Sequence, residues 1–162
     1  MKIFISGATG YLGVRVVKLL APFLTDLFVL KRETTDMSQL IPLYPNLKSF
    51  TIDSDFLGVN EFLKDVNLFV HLATCYGRKG ESEREVKSVN YDLANFVLDL
   101  AMRAPDSLFF NIDTVLPVHA DTYSKHKHTI KIDSKNIISG KRINFINIKL
   151  ETVYGPDDES SR

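Results

Sequence analysis

A tyrosine and a lysine stand four residues apart at Tyr123 and Lys127. On an α-helix this spacing places both side chains on one face. A free phenol is too weak an acid to exchange protons near neutral pH, and a neighbouring ammonium favours the phenolate. The pair therefore has the residue types of a general acid/base for a substrate hydroxyl or carbonyl.

The same spacing also occurs at Tyr44 and Lys48, so the spacing alone identifies no site. Pro45 and the position of this second pair just before a predicted strand argue against a helix there. Without further context, either pair is more often an accident of sequence than a catalytic dyad. The surrounding elements have to distinguish them.

A glycine-rich loop, GATGYLG at residues 7–13, lies between a predicted strand, Lys2–Ser6, and a predicted amphipathic helix, Tyr11–Ala21. Glycine is needed where a chain turns tightly, where the backbone approaches a pyrophosphate and where a helix packs on a strand. The helix also directs free N–H groups and its positive dipole end at the loop. A plain strand-to-helix turn is the alternative, but this order of elements favours a dinucleotide site. The predicted contacts are Gly7, Thr9, Gly10, Tyr11, Leu12 and Gly13.

Two cations end the second predicted strand, where NAD-binding domains usually carry an acidic residue for the ribose hydroxyls. Lys31 and Arg32 would instead pair with the 2′-phosphate of NADP. Glu33 follows directly and keeps NAD open, and a solvated strand end is a further alternative. NADP is the predicted cofactor.

Short apolar runs alternate with longer helical segments along the chain. This alternation implies parallel strands joined by right-handed crossovers. The predicted fold class is α/β, a Rossmann-like doubly wound parallel sheet of about six strands, order 3-2-1-4-5-6, with helices on both faces. The remaining predicted elements are the strands Leu27–Leu30, Leu47–Thr51, Asn67–Ala73, Leu108–Ile112 and Ile143–Leu150 and the helices Glu83–Met102 and Tyr123–Ile138.

Composition and charge exclude several other classes of protein. The 162 residues suit one domain, and 20 acidic against 20 basic residues give no net charge that would attract nucleic acid. The single cysteine, Cys75, allows no internal disulfide, and no segment is apolar and long enough for a signal peptide or membrane span. No His, Cys and carboxylate cluster predicts a metal site. We therefore expect a cytoplasmic protein that binds neither nucleic acid nor membranes.

The glycines of the loop are spaced three and three apart, which resembles the extended short-chain dehydrogenase/reductases, the NAD-dependent epimerase/dehydratase family. Other segments along the chain resemble the same family. The resemblance implies that the fourth strand runs beside the ribose and nicotinamide at Leu72, Ala73 and Thr74, that Asp53 contacts the adenine, that Asn90 belongs to the cofactor site, and that residues 153–156 (VYGP) form the turn after the sixth strand.

The resemblance also favours Tyr123 over Tyr44, because the family's catalytic tyrosine follows the fifth strand. It implies a third catalytic residue at the end of that strand, a place that Thr114 takes, although a strand-end turn is a frequent role for threonine. Lys127 would additionally hold the nicotinamide ribose, and together with the oxidised nicotinamide it would favour the Tyr123 phenolate. The predicted catalytic residues are therefore Thr114, Tyr123 and Lys127.

The segment NIDT, ending at Thr114, and the short interval to Tyr123 are similar to the deoxysugar branch of the family, which includes abequose- and tyvelose-forming sugar-nucleotide enzymes. Sugar dehydratases of the family carry an Asp-Glu pair directly after the threonine. Val115 and Leu116 follow it here, which disfavours dehydration. The resemblance thus implies an NADP-dependent reductase or epimerase of a nucleotide-activated sugar.

Extended family members continue well beyond the VYGP turn and build the sugar pocket there. We therefore expect a cofactor domain at residues 1–156, a polar tail at 157–162 and no substrate domain. A sixth strand without a neighbour leaves an exposed edge, so the chain is a fragment, a dimer or completed by another chain. The family dimerises through the helices predicted at Glu83–Met102 and Tyr123–Ile138. The alternative function is an NAD(P)-binding module without turnover.

Overall fold

The computed structural model describes residues 1–51, 62–104, 106–138 and 143–151, and for residues 131–138 it describes the backbone alone. The predictions for Asp53, for residues 153–156 and for the tail at 157–162 lie outside this part of the chain. One sheet of six parallel strands has the order β3-β2-β1-β4-β5-β6, which confirms the predicted topology. The strands are β1 (Lys2–Ser6), β2 (Asp26–Lys31), β3 (Lys48–Thr51), β4 (Leu68–His71), β5 (Leu108–Thr114) and β6 (Asn144–Leu150).

The helices begin at identifiable caps. Helix α1 (Tyr11–Leu20) starts after Gly10 and continues into a 3₁₀ turn (Ala21–Phe23) that accommodates Pro22. The predicted long helix is α2 (Glu83–Lys87), a π-helical turn (Ser88–Asp92) and α3 (Leu93–Ala101) in succession. Ser82 and Glu85 form a capping box at the start of α2. Helix α4 covers Thr122–Ile138.

Alternation of side chains along the strands gives the sheet two different faces. The phenylalanine face carries aromatic rings on all six strands, including Phe50 of β3, and packs against α3. The opposite α1 face carries aliphatic residues of β1 and β2 that pack against Val17 of α1. In the described part of the chain, an apolar groove of about 310 Å³ stays open on the α1 face beside β4, β5 and β6. The register-matched rings are Phe28, Phe4, Phe69, Phe109 and Phe145.

Strand β5 is two residues longer than predicted, because its pairing with β6 continues to Thr114 opposite Leu150. The extension carries Asp113 and Thr114 to the carboxyl end of the sheet, where Rossmann-like folds bind their ligands. No helix in the described ranges is long and apolar enough to cross a membrane.

Candidate functional site

Two glycines of the loop are required by the fold itself. Gly7 has a φ of 79°, and a Cβ there would lie 2.6 Å from Ala73 Cα and 2.7 Å from the Leu72 carbonyl carbon. A Cβ at Gly13 would lie 2.6 Å from both the carbonyl carbon and oxygen of Ala8. The loop is therefore pressed between β4 and α1, with no room for side chains at these two positions.

Gly10 is different, because a Cβ there would meet its nearest neighbour, the Gly7 carbonyl oxygen, only at 3.3 Å. It is exposed and stands at the N-cap of α1. Helix α1, every residue of which is described, begins without a side-chain cap and without an acidic residue in its first turn. The outer surface of the loop thus presents bare backbone and a positive helix end, which fits a dinucleotide pyrophosphate.

Tyr11 and Leu12 form the first turn of α1, as predicted, but their side chains have other neighbours. The Arg15 guanidinium lies 3.6 Å from the Tyr11 ring centroid and its Nη1 donates to the Tyr11 carbonyl at 3.0 Å. Leu12 lines the apolar groove on the α1 face. At Leu12, the main chain is therefore the part that could meet a phosphate.

A polar recess of about 330 Å³ opens where β2 ends. Thr9 of the glycine loop and Arg32 line it together, and Asp36 contributes a carboxylate that accepts hydrogen bonds from the Ser38 N–H and hydroxyl at 2.8 Å each. These hydrogen bonds lower the pKa of Asp36. Lys31, the other predicted cation, is half-buried in β2 opposite Thr51. The recess therefore contains one cation and one anion, and its other lining residues are Thr34, Thr35 and Gln39.

Asn90 is buried in the π-helical turn, and its amide group holds the chain after β4. Its Oδ1 accepts from the Cys75 N–H at 3.2 Å, and its Nδ2 donates to the carbonyl oxygens of Cys75 at 2.6 Å and Val86 at 2.9 Å. Thr74 donates to the Leu72 carbonyl at 3.3 Å. Because the Asn90 amide is hydrogen-bonded to main-chain atoms, it holds the loop that carries Ala73 and Thr74 in place.

The three predicted catalytic residues meet at the carboxyl end of β5. Thr114 is buried, Tyr123 is 8% exposed and Lys127 is 0% exposed one helical turn further along α4. The Thr114 Oγ1 accepts from the Leu116 N–H at 3.1 Å, and the Thr114 side chain is also hydrogen-bonded to Tyr123. Helix α4 brings Tyr123 here because Asp121 caps its first turn, accepting from the Ser124 N–H at 2.7 Å.

The competing pair does not form such a site. Tyr44 lies in a turn and its hydroxyl donates to the Leu24 carbonyl at 3.5 Å, whereas Lys48 begins β3 and pairs with Asp26 at 3.1 Å. The two residues share no helix, as Pro45 indicates. The structure thus distinguishes the two Tyr–Lys pairs: Tyr123 and Lys127 share helix α4, whereas Tyr44 and Lys48 share no helix.

Burial raises the pKa of Tyr123 to about 12, and the neighbouring Tyr76 acts in the same direction. The expectation that Lys127 and an oxidised nicotinamide together favour the phenolate concerns the protein with cofactor bound and stays a prediction. Burial also lowers the pKa of Lys127 to about 8, while Asp113 acts to raise it. The four-residue spacing predicts the alignment of the pair on the helix but not its desolvation. In the protein alone, Tyr123 is therefore a protonated phenol.

Tyr76 is a site residue that the sequence analysis missed. Its ring centroid lies 4.9 Å from that of Tyr123 at an interplanar angle of 53°, and its side chain is 47% exposed. The Arg78 guanidinium lies 5.1 Å from the Tyr76 ring centroid. The available signal was position, since Tyr76 follows β4 at the same carboxyl edge of the sheet as Thr114.

His71 is a buried core histidine, with Nδ1 2.8 Å from the Ser6 hydroxyl. Burial lowers its pKa well below the ordinary value, with Lys127 acting in the same direction. Within the described residues, no group of three His, Cys, Asp or Glu side chains could hold a metal ion.

Comparison with known proteins gives relatives in sequence and in fold. No family model matches the chain. It is 25% identical over 169 residues to CDP-abequose synthase from Salmonella typhimurium, covering 99% of this chain and 56% of that protein. The crystal structure of UDP-glucuronic acid 4-epimerase from Bacillus cereus in complex with NAD superposes with a TM-score of 0.76 at 18% identity, covering 100% of this chain and 59% of that one.

A third structure, UDP-N-acetylglucosamine 4-epimerase from Methanobrevibacter ruminantium, superposes with a TM-score of 0.80 at 15% identity, covering 98% of this chain and 57% of that one. The chain thus spans little more than half the length of the relatives it matches. These similarities confirm the resemblance predicted from the motifs: the chain has the Rossmann-like fold of the nucleotide-sugar epimerases and is similar to the CDP-abequose synthases along almost its whole length.

Proposed function

We propose that this chain is the cofactor domain of an NADP-dependent reductase or epimerase of a nucleotide-activated deoxysugar, with Tyr123 as its general acid/base. The observation that carries the proposal is the meeting of Thr114, Tyr123 and Lys127 at one edge of the sheet. The glycine loop, which fits a pyrophosphate, opens at the same edge. The similarity to CDP-abequose synthase makes a CDP-linked deoxysugar the first substrate to test.

The chemistry divides between the cofactor and the chain. The nicotinamide would supply or accept the hydride when bound. Tyr123, which is a protonated phenol in the protein alone, would give its phenolic proton to the substrate's carbonyl oxygen, and the Thr114 hydroxyl would hold the same oxygen. Lys127 would hold the nicotinamide ribose. An epimerase would require the same tyrosine to take a proton first, so the direction of the first proton transfer distinguishes epimerisation from reduction.

Arg32 supports NADP as the cofactor. It lines the recess beside Thr9 of the glycine loop, where a cation would pair with a 2′-phosphate. Asp36 in the same recess, and Glu33 next to Arg32, support NAD as the alternative. Affinity for the two cofactors, measured separately, distinguishes these alternatives.

A homodimer through the long helical segment and α4 is part of the proposal. These two elements lie side by side, with the rings of Tyr91 and His126 6.4 Å apart. Light scattering on the protein eluting from a size-exclusion column tests the dimer. A mass twice the 18.4 kDa of the chain supports it, and the mass of one chain contradicts it.

The alternative function is dinucleotide binding without turnover. It is supported by the glycine loop, whose bare backbone and positive helix end fit a pyrophosphate whether or not a substrate is turned over. The experiment follows the loss of reduced-nicotinamide absorbance with keto-deoxysugar nucleotides carrying CDP or UDP. Turnover that disappears in Tyr123→Phe supports the enzyme. Cofactor binding without turnover on any of these substrates supports the binding module.

A further inference from the structure

A row of four polar residues, three buried and one half-buried, crosses the sheet just beyond the row of phenylalanines. Ser6, His71, Asn111 and Asn147 are register-matched neighbours on β1, β4, β5 and β6. They are two residues beyond Phe4, Phe69, Phe109 and Phe145, so they project to the same face. Polar groups placed on a core face cost stability unless they are hydrogen-bonded, and their arrangement therefore calls for a role.

The β5 and β6 members of this row converge on Asp113. Asn111 Nδ2 donates to Asn147 Oδ1 at 2.7 Å, and Asn147 Nδ2 donates to Asp113 Oδ2 at 2.9 Å. The other carboxylate oxygen, Oδ1, accepts from the Thr114 N–H at 2.8 Å. Asp113 is 1% exposed. Its carboxylate is thus fixed from β6 on one side and bonded to the main chain of Thr114 on the other.

Lys127 is a buried lysine on which the charge of this carboxylate acts. Its Nζ has no hydrogen-bond partner among the described residues, and an unpaired buried ammonium is costly. Asp113, from β5, is the acidic group that acts on Lys127. His71, from β4, is the other titratable group facing it, and burial keeps that imidazole neutral. Tyr123, on the same helix, is a protonated phenol.

We propose that Asp113 is a positioning residue of this site: its carboxylate, held from β6 by Asn147, fixes the main chain at Thr114 and sets a negative charge against the buried Lys127 ammonium. The inference rests on the proposed function in that Thr114 and Lys127 are taken as the working residues. Asp113 touches neither substrate nor cofactor. One carboxylate then acts on two of the three proposed catalytic residues, Thr114 and Lys127. Strand β6 contributes to the site through Asn147.

Asp113→Asn tests the charge without removing the shape. The amides of Asn147 and Asn111 can both turn over, so that Asn147 Oδ1 accepts from the new amide and Asn147 Nδ2 donates to Asn111 Oδ1, which has no partner among the described residues. Asp99→Asn, an exposed position on α3, is the matched control for the same change.

The measurement is an NMR pH titration of protein labelled with ¹³Cε-lysine, with the Lys127 signal assigned from Lys127→Met. In the native protein we expect a midpoint near pH 8. In Asp113→Asn we expect the midpoint about one pH unit lower or more, because an opposite charge has been removed. Asp99→Asn should leave it in place. An unchanged midpoint in folded Asp113→Asn would overturn the proposal, since a merely structural residue would alter stability alone.

A second readout needs no variant and covers the case in which Asp113→Asn does not fold. The ¹³Cγ signal of Asp113 in the native protein should show a step at the Lys127 midpoint, and absence of that step also overturns the proposal. Neither titration uses cofactor. If the pair is coupled but NADPH and NADH both fail to bind, the proposed function fails alone. If cofactor binds and the coupling is absent, the positioning role fails alone.

Discussion

The glycine loop and the group of polar residues at the end of β5, called the corner here (Asp113, Thr114, Tyr123 and Lys127), are built by opposite means. Gly7 and Gly13 are fixed by backbone contacts that leave no space for a Cβ. The corner around Tyr123 and Lys127 is fixed by buried polar side chains from separate strands, joined by hydrogen bonds and charge. The loop should therefore fail through steric strain, whereas the corner should fail through changed protonation with the fold intact.

Tyr123→Phe is expected to have the largest effect and to break the corner alone. It removes one hydroxyl from a buried ring and should lower turnover by about 10²–10⁴-fold, the usual contribution of a general acid. Cofactor affinity should stay within a factor of about two, because the glycine loop is untouched. Single-turnover kinetics and calorimetry on the same preparation measure both. Equal losses of turnover and affinity would show that the two regions are not separable.

Gly13→Ala should break the loop by strain. Its Cβ would lie 2.6 Å from main-chain atoms of Ala8, which cannot move without shifting α1, so we expect a loss of about 3 kcal/mol in the free energy of unfolding. Gly10→Ala is the matched control: its nearest atom is at 3.3 Å, so stability should change by less than about 1 kcal/mol.

Cofactor affinity should nevertheless fall about tenfold in Gly10→Ala, since the new methyl group occupies the surface that faces the pyrophosphate. Urea unfolding and calorimetry distinguish the two glycines. Similar losses of stability in both variants would contradict the difference in contacts.

Lys127 should make the free energy of unfolding depend on pH. Between pH 8 and pH 10 the folded protein has lost the Lys127 proton, whereas the unfolded chain, with the ordinary pKa of 10.5, still holds it. The free energy of unfolding should therefore rise with pH by about 2–3 kcal/mol over this interval. Above about pH 10.5 the rise should stop and reverse, because the unfolded chain has then lost its lysine proton and loses the Tyr123 proton before the folded protein, in which the Tyr123 pKa is about 12.

Urea unfolding at intervals of pH measures this dependence. Lys127→Met should abolish the rise, and Lys125→Met, an exposed lysine of the same helix, should keep it. Parallel pH profiles for the native protein and Lys127→Met would show that the buried lysine carries no such linkage.

Arg32→Gln should have the smallest effect and should sharpen the description of the binding region. We expect NADPH to bind about tenfold more weakly and NADH to be unaffected, because a charge-assisted hydrogen bond to the 2′-phosphate is removed. Lys31→Gln, a neighbouring cation that is half-buried in β2, should change the preference less. An equal loss for both cofactors would mean that Arg32 supports the loop and does not select the phosphate.

The sequence predicts the glycine loop more completely than the corner. The glycine loop is local: strand, turn and helix are adjacent in the chain, so spacing alone gives the positions of Gly7, Gly10 and Gly13. The six strands and their order follow in the same way, since alternating apolar strands and helices allow few arrangements. Strand β5 was predicted two residues too short because its last pairs depend on β6, more than thirty residues away in the chain.

The sequence does not predict how deeply the side chains of the corner are buried. Spacing aligns Tyr123 with Lys127, but their pKa values follow from burial by parts of the chain that are distant in sequence. The π-helical turn at Ser88–Asp92 was likewise hidden, because it turns Asn90 toward Cys75 and only the folded loop supplies that partner. Asp113 had a signal in the sequence: Asn111 and Asp113 lie two residues apart, on one face of β5, and the other residues of the strand before Thr114 are apolar.

The most direct test of the central claim is a calorimetric titration of the 162-residue protein with NADPH and, separately, with NADH. We predict that one molecule of NADPH binds per chain, more tightly than NADH, with weaker binding in Gly10→Ala. Binding of neither cofactor to the folded protein would contradict the dinucleotide site, and the enzymatic role proposed for Tyr123 would have to be given up with it.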